Sequence, residues 1–330
     1  MLKKLTQIMG VAGYEKEVRE FIVKEVEPYA DSLSVDALGN LTVFLPGKGA
    51  DCKKIMLAAH MDEIGYQVTK IESDGRLRVC QLGWLWTAAS YNMRVVFRNG
   101  AVGVVSCDGE IEEARQKTNK LFIDIGCKTK EEALKLVNIG DVCCYFSPYA
   151  ELANGHICSK ALDDRIGCYQ MIELIRRGKD RYNDCYYVFT VQEELGCRGS
   201  TVAAERIQPD IGIAVDITPA HDYPCDLQGS NEVGGGAAIK ISDPSVICDE
   251  YLVAEMIACC GEHDIRFQRD VIDKGGTDAG SINRAFQGVR SCAVSVVTRY
   301  PHSPNSVISR ADVDAAIELL HHFTDRQFSF

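Results

Sequence analysis

The chain has 330 residues, of which 46% are hydrophobic and 25% are charged, a composition typical of a soluble globular protein with room for two domains. Its formal net charge of -11 argues against nucleic acid as a partner, and no apolar stretch reaches the roughly 18 residues of a membrane span. Its 15 cysteines, without a Cys-x-x-Cys pair or an N-terminal signal pattern, predict free thiols and a cytoplasmic location.

The N-terminal segment shows the pattern of an α/β domain. Residues 15–27 place Val18, Ile22 and Val26 on one stripe at helical spacing, which predicts an amphipathic helix. A strand is predicted over 41–45. The continuous apolar run 55–59 is typical of a strand buried on both faces of a parallel sheet.

The pattern changes between residues 66 and 158, where short alternating runs are joined by hairpin signals. Asp74-Gly75 separates the runs 67–71 and 77–80, and Asn99-Gly100 separates 94–97 from 101–105. One short helix is predicted over 130–137. Together these signals predict a small, mostly antiparallel β domain.

Strands and helices alternate again after residue 158. Helices are predicted over 164–177, 201–206, 250–260 and 312–323, and strands over 186–191, 211–215 and 292–297. This alternation predicts an α/β fold with helices on both faces of its sheet. We therefore predict an α/β domain made of residues 1–65 and 159–330, with the β domain 66–158 inserted into it.

Histidines and acidic residues follow the predicted buried strands. They are His60 and Asp62 after the first, Glu193 and Glu194 after the second, Asp216 after the third and His302 beyond the fourth, with Asp163 where a loop enters a helix. Each residue alone has an ordinary structural explanation, such as a helix cap or a solvated charge. Because the carboxyl ends of parallel strands meet at one edge, we expect these side chains to cluster there.

Such a cluster favours a metal site, because grouped carboxylates repel one another unless a cation lies among them. Two imidazoles with carboxylates suit zinc, cobalt or manganese. Five candidate ligands, His60, Asp163, Glu194, Asp216 and His302, are more than one catalytic zinc needs and fit two divalent ions that share a carboxylate. The net positive charge of such a centre would lower the pKa of a water molecule.

Two further acidic residues complete the predicted site. Asp62 lies two positions after His60 and can accept the hydrogen bond of the other ring nitrogen. Glu193 lies beside a candidate ligand and can move a proton as general base and acid. The whole set predicts metal-assisted hydrolysis.

Eight stretches of sequence also carry a family resemblance. They are residues 11–15, 59–65, 122–126, 161–165, 192–199, 214–218, 275–279 and 298–304. At these positions the chain resembles the TET-type dinuclear metallo-aminopeptidases, a family that includes glutamyl, leucyl, lysyl and deblocking aminopeptidases and some members labelled glucanase.

The resemblance implies a division of roles among the seven residues. His60 and Asp216 would hold one ion, Glu194 and His302 the other, and Asp163 would bridge them. Asp62 and Glu193 would be the catalytic pair. The implied substrates are peptides with a free N-terminus, and the implied cofactors are two divalent ions, zinc or cobalt.

The resemblance also implies a phosphorylase/hydrolase-like catalytic domain with helices on both faces of a mixed sheet, a PDZ-like inserted domain used in dimerisation, and a twelve-subunit assembly. The apolar runs 93–97 and 102–105 predict exposed strand edges, for which a partner subunit is one cover. The loop 107–120 departs from the family pattern, because it lacks a stretch with proline and histidine that many members have.

Three other functions remain open at this point. A related dinuclear carboxypeptidase or deacylase would use the same ligand types. A metal-free glycosidase would use two carboxylates, but it gives no reason for two histidines at strand ends. The third is an inactive scaffold, which the intact set of seven residues disfavours.

Overall fold

Strands that alternate with helices along the chain form a nine-stranded sheet. The computed structural model of the chain describes residues 1–109, 120–178, 181–225 and 228–330. Among these residues the strands are β1 (Ser32–Val35), β2 (Leu41–Leu45), β3 (Lys54–His60), β4 (Gly65–Ile71), β5 (Leu77–Leu82), β6 (Arg94–Phe97), β7 (Val102–Cys107), β8 (Leu121–Asp124), β9 (Val142–Tyr145), β10 (Ala150–Glu151), β11 (His156–Ser159), β12 (Asp184–Thr190), β13 (Ile211–Pro219), β14 (Ala237–Asp243), β15 (Val246–Ile247), β16 (Phe267–Val271), β17 (Arg290–Thr298) and β18 (Ser306–Ser309).

The described helices are α1 (Leu2–Leu5), α2 (Lys16–Val26), α3 (Thr87–Ser90), α4 (Lys130–Ala133), α5 (Leu162–Arg177), α6 (Arg198–Ile207), α7 (Glu250–Glu262), α8 (Asp278–Asn283) and α9 (Arg310–Phe323), with short 3-10 turns at Glu27–Tyr29 and Ala153–Gly155. Six of these nine described helices match predicted segments, with bounds that differ by a few residues, and the short helices α1, α3 and α8 were not predicted. The helix expected over 130–137 ends at Ala133 and continues as turns, because only Ala133 and Val137 of that segment are buried.

The large sheet is mixed, as predicted. Its strand order is β1-β2-β12-β3-β13-β17-β14-β15, with β16 beside β14. The four central strands β12, β3, β13 and β17 are parallel, and antiparallel partners flank them. The carboxyl ends of these four strands therefore lie at one edge of the sheet.

Helices cover both faces of this sheet, because successive side chains of a strand point in opposite directions. On β3, Ile55 and Leu57 pack into a large apolar cluster with α2, α5 and α9. Met56 and Ala58 point the other way, into a smaller cluster with α6 and α8. The α/β domain with helices on both faces is confirmed.

The inserted segment folds into a small antiparallel barrel closed by six strands in the order β4-β5-β8-β7-β6-β9. Both predicted hairpins are present. The expectation of exposed strand edges was wrong, because β6 pairs with both β7 and β9, and β7 also pairs with β8. What remains exposed on the outer wall is a set of apolar side chains that includes Val102 and Val104.

A three-stranded sheet, β10-β11-β18, connects the end of the inserted segment to the α/β part of the chain. Most of the loop that departs from the family pattern, residues 110–119, lies outside the described residues. A search of the described helices finds none with the length and apolar character to cross a bilayer. None of the 15 cysteines, all of which are among the described residues, forms a disulfide bond.

Candidate metal centre

The parallel register of the central strands brings the predicted site residues to one edge. His60 is the last residue of β3 and lies opposite Thr190, the last residue of β12. Glu193 and Glu194 lie three and four residues beyond the end of β12. Asp216 lies inside β13 rather than after it, because β13 keeps pairing with β17 as far as Pro219.

Asp163 lies between the two histidines. Its Oδ1 is 3.0 Å from His60 Nε2, and its Oδ2 is 3.0 Å from His302 Nε2. Asp216 completes a group of possible metal ligands with His60 and Asp163, and Glu194 completes a second group with Asp163 and His302. The structure thus brings all five proposed ligands into two groups that share one carboxylate.

Asp62 supports this site through both its backbone and its side chain. Its carbonyl oxygen is 3.1 Å from His60 Nδ1, closer than its carboxylate, which is 3.5 Å from that nitrogen. The carboxylate accepts hydrogen bonds from the backbone N–H groups of Glu193 (3.0 Å) and Glu194 (3.1 Å). The buried Asp62 carboxylate therefore fixes the turn that presents both glutamates.

Glu193 belongs to neither shared group, although it faces the same space. Its Oε2 is 3.9 Å from His60 Nε2, and its Oε1 accepts a hydrogen bond from the Cys197 thiol at 3.3 Å. Burial and the neighbouring carboxylates raise its pKa well above the usual range, although His60 opposes the shift. A carboxyl group in such a place is suited to accepting and returning a proton.

The ionisable groups of the cluster hold protons that a cation would displace. Burial raises the pKa of Glu194 to about 8 and that of Asp216 to about 7. Burial alone would lower the pKa of His302, but the charges of Glu194 and Asp163 outweigh it and raise that pKa to about 10. Since ligation needs deprotonated groups, cation binding should strengthen as the pH rises through these three pKa values, from about 7 to about 10.

Buried charged residues from the same sequence stretches form the scaffold of the site. Arg165 donates to the carbonyl oxygens of Met61 (2.8 Å) and Leu5 (2.6 Å). Lys160 donates to both oxygens of Glu63, and all three of these charged side chains are buried. These contacts hold the chain on either side of His60 and Asp163.

Sequence reasoning missed two buried aspartates near the centre. Asp164 accepts a hydrogen bond from the backbone N–H of His60 at 3.1 Å. Asp278 accepts hydrogen bonds from Thr190 and Ser200 and lies beside Glu193 and Cys197. The doublet Asp163-Asp164 and the motif around Asp278 were the available signals, but spacing could not tell a ligand from a supporting residue.

Six of the seven predicted residues line a cavity of about 590 Å³, and Asp62 lies beneath its floor. Trp84 and Trp86 from the barrel form part of the wall, with their rings in edge contact at 5.5 Å. Lys274, on the loop before α8, is the only lysine or arginine among the described residues that line this cavity. The described lining of the cavity thus combines the acidic residues of the centre with one cation on the loop before α8.

Comparisons with known proteins indicate one family for this chain. A family model described as M42 glutamyl aminopeptidase matches residues 39–319. A protein of Acetivibrio thermocellus that carries a provisional aminopeptidase name is 43% identical over 97% of this chain and 96% of its own length.

Two solved structures share the fold over almost the whole chain. An aminopeptidase from the archaeon Desulfurococcus kamchatkensis has a TM-score of 0.93 at 33% identity, covering 99% of this chain and 94% of the other. The TET1 peptidase of Pyrococcus horikoshii, described as assembling into a tetrahedron or a large octahedral shell, has a TM-score of 0.86 at 32% identity, covering 99% and 98%.

Proposed function

The chain belongs to the M42 glutamyl aminopeptidase family and is an aminopeptidase, and we propose that it removes N-terminal residues from peptides by metal-assisted hydrolysis at this centre. The observation that carries the proposal is the pair of ligand groups joined by Asp163. His60 and Asp216 would hold one divalent ion, Glu194 and His302 the other, and Asp163 would bridge them.

The residues present fit two divalent ions. Glu194 Oε1 is buried and has no hydrogen-bond donor among the described residues, so this oxygen is free to bind a cation. Three ligand carboxylates carry three negative charges that two divalent ions would more than neutralise, and imidazole with carboxylate suits zinc or cobalt. When bound, the ions would polarise the substrate carbonyl and lower the pKa of the attacking water.

The protein's own residues supply proton transfer and orientation. Glu193 would take the proton of the attacking water and return it to the leaving amine. Asp62 would hold Glu193 in place through the backbone hydrogen bond at 3.0 Å. Neither role requires a movement of the buried scaffold.

A carboxypeptidase or deacylase remains the alternative with the same ligand chemistry. A glycosidase is disfavoured, because it needs no pair of histidines between carboxylates. The family match over residues 39–319 and the aminopeptidase structures favour cleavage at a free N-terminus.

A pair of peptides that differ only in N-terminal acetylation tests the proposed function. The free peptide should be cut from its N-terminus about 10²-fold faster or more, because a site built to bind a polar group rejects a substrate that lacks it. A chelator should abolish the cleavage, and added zinc or cobalt should restore it. Equal rates on both peptides would indicate a deacylase or endopeptidase, and release of C-terminal residues would indicate a carboxypeptidase.

Lys274 favours an acidic N-terminal side chain in the substrate. A glutamyl side chain can pack its methylenes on the apolar walls near Ile217 and Ile272 and direct its carboxylate towards the Lys274 ammonium group. The presence of this cation in the described lining of the cavity supports the preference.

Replacing Lys274 with glutamine should lower kcat/KM for a glutamyl substrate about five-fold, the value of an exposed ion pair of about 1 kcal/mol. Hydrolysis of a leucyl substrate should stay unchanged. The exposed Lys135 of the barrel, changed in the same way, is the matched control. Equal losses on both substrates would mean that Lys274 acts on the fold and not on the choice of substrate.

We further propose a homo-oligomer, with a dimer as its unit. The exposed apolar side chains on the barrel wall, such as Val102 and Val104, support a contact there, and the Pyrococcus horikoshii relative is described as forming shells. The closed barrel supports the division into 1–65 with 159–330 and an inserted PDZ-like domain 66–158, and the lack of disulfide bonds among the 15 cysteines supports a cytoplasmic location.

A further inference from the structure

The inserted barrel reaches the metal centre through the segment that follows β5. Two residues of this segment, Gly83 and Trp84, lie against Glu194 and His302, which belong to the ligand group with Asp163. The barrel contributes none of the proposed ligands, so these contacts are its direct connection to the chemistry.

The carbonyl oxygen of Trp84 is 2.7 Å from His302 Nδ1. A carbonyl can only accept, so Nδ1 must carry the proton in this contact. When the ring is neutral, as a metal ligand must be, the other ring nitrogen, Nε2, therefore carries no proton, and it faces Asp163 Oδ2 at 3.0 Å and Glu194 Oε1 at 3.7 Å. The backbone of the barrel segment thus selects the tautomer of His302 that presents a lone pair to the centre.

Gly83 lets this segment come close enough to make the contact. Its φ of +83° lies in the left-handed region that favours glycine. A Cβ atom there would lie 2.7 Å from Ile64 Cγ2 and 3.0 Å from Glu194 Oε2. Any side chain would push the segment away from the centre or displace Glu194.

The other histidine is oriented without help from the barrel. His60 Nδ1 contacts the carbonyl oxygen of Asp62 at 3.1 Å, two residues further along the same chain segment. Asp62 is in turn held by the turn at Glu193 and Glu194. The two histidines therefore have the same kind of support from different parts of the fold.

We propose that the Gly83-Trp84 segment is the positioning element for the ion bound by Glu194 and His302, and that the ion bound by His60 and Asp216 does not depend on it. This inference rests on the proposed dinuclear function. It gives the inserted barrel a role in building one half of the centre, separate from any role in assembly.

Calorimetric titration of the metal-free protein with zinc tests the proposal on Gly83→Ala. One of the two binding events should weaken by about 10–100-fold, the usual effect of losing a partner that orients a metal ligand, and the other should stay unchanged. Gly100→Ala is the matched control, because Gly100 also lies in a barrel turn at positive φ (+88°) but has nothing within 4 Å of an added Cβ. It should leave both events unchanged.

Two binding events of wild-type strength in Gly83→Ala, or equal weakening of both, would overturn the proposal. Wild-type protein that binds no pair of ions would instead refute the dinuclear function itself. If Gly83→Ala does not fold, ¹⁵N NMR of zinc-loaded, histidine-labelled wild-type protein decides, with the His302 signals assigned by their loss in His302→Gln. A protonated Nδ1 with an unprotonated Nε2 supports the proposal, and the reverse tautomer overturns it.

Discussion

Replacing Glu193 with glutamine should lower kcat by about 10²–10⁴-fold, the usual contribution of a general base, while the protein keeps its full metal content. Glutamine has nearly the same size but cannot accept the proton of the attacking water. Glu193 is outside both ligand groups, and its carboxylate faces the cavity 3.9 Å from His60 Nε2. Steady-state kinetics together with elemental analysis of the purified variant measure both quantities.

The same substitution one residue further on is the control. Glu194→Gln should lose metal, because Glu194 belongs to the group with Asp163 and His302 and has a buried oxygen without a donor among the described residues. Loss of an ion from Glu193→Gln, with full occupancy in Glu194→Gln, would reverse the assignment of the two glutamates.

Replacing Asp163 with asparagine should weaken both ions at once. Asp163 is the one residue common to both ligand groups. Its Oδ1 is 3.0 Å from His60 Nε2, and its Oδ2 is 3.0 Å from His302 Nε2. The amide keeps the shape of the side chain but removes its charge and one of its two acceptor atoms. We expect affinity for both ions to fall by more than about 100-fold, the upper end for the loss of a mere supporting partner, and activity to fall with it.

Titration with zinc and kinetics at a fixed zinc concentration measure these losses. Asp314→Asn, an exposed aspartate on α9, is the matched control and should bind and turn over as the wild type does. An Asp163→Asn protein that retains one ion at wild-type affinity would show that Asp163 is not shared.

The sequence predicted the four central strands and the long helices of the α/β fold, because these strands are continuous apolar runs and these helices show clear periodicity. It did not predict the flanking strands β14 and β16 or the short helix α8. The clustering at the sheet edge followed from one rule of strand topology. His60 and Asp216 could be placed in this way, since both lie on central parallel strands.

Other features depend on contacts that local patterns do not show. The hairpin signals of the barrel predicted β6 and β7 but not the closure that covers their edges, because β6 pairs with the distant strand β9. The contact between Trp84 and His302 joins residues 218 positions apart through a backbone carbonyl. Because every residue has a backbone carbonyl, the type of the residue does not indicate such a contact. The sequence alone therefore explained the inserted domain by assembly and missed its contact with the centre.

The role of Asp62 shows a third kind of limit. Its spacing from His60 predicted a side-chain contact with the imidazole, whereas its backbone carbonyl makes the closer contact and its carboxylate holds the turn at Glu193 and Glu194. Spacing places a residue near its neighbour, but it does not decide which of its acceptor atoms is used.

Metal content of the wild-type protein is the most direct test of the dinuclear centre. The protein would be stripped with a chelator, reconstituted with zinc or cobalt, passed through a desalting column and measured by elemental analysis against the amount of chain. Five ligands in two groups that share Asp163 predict two ions per chain. One ion per chain, or none, would contradict this account of the site.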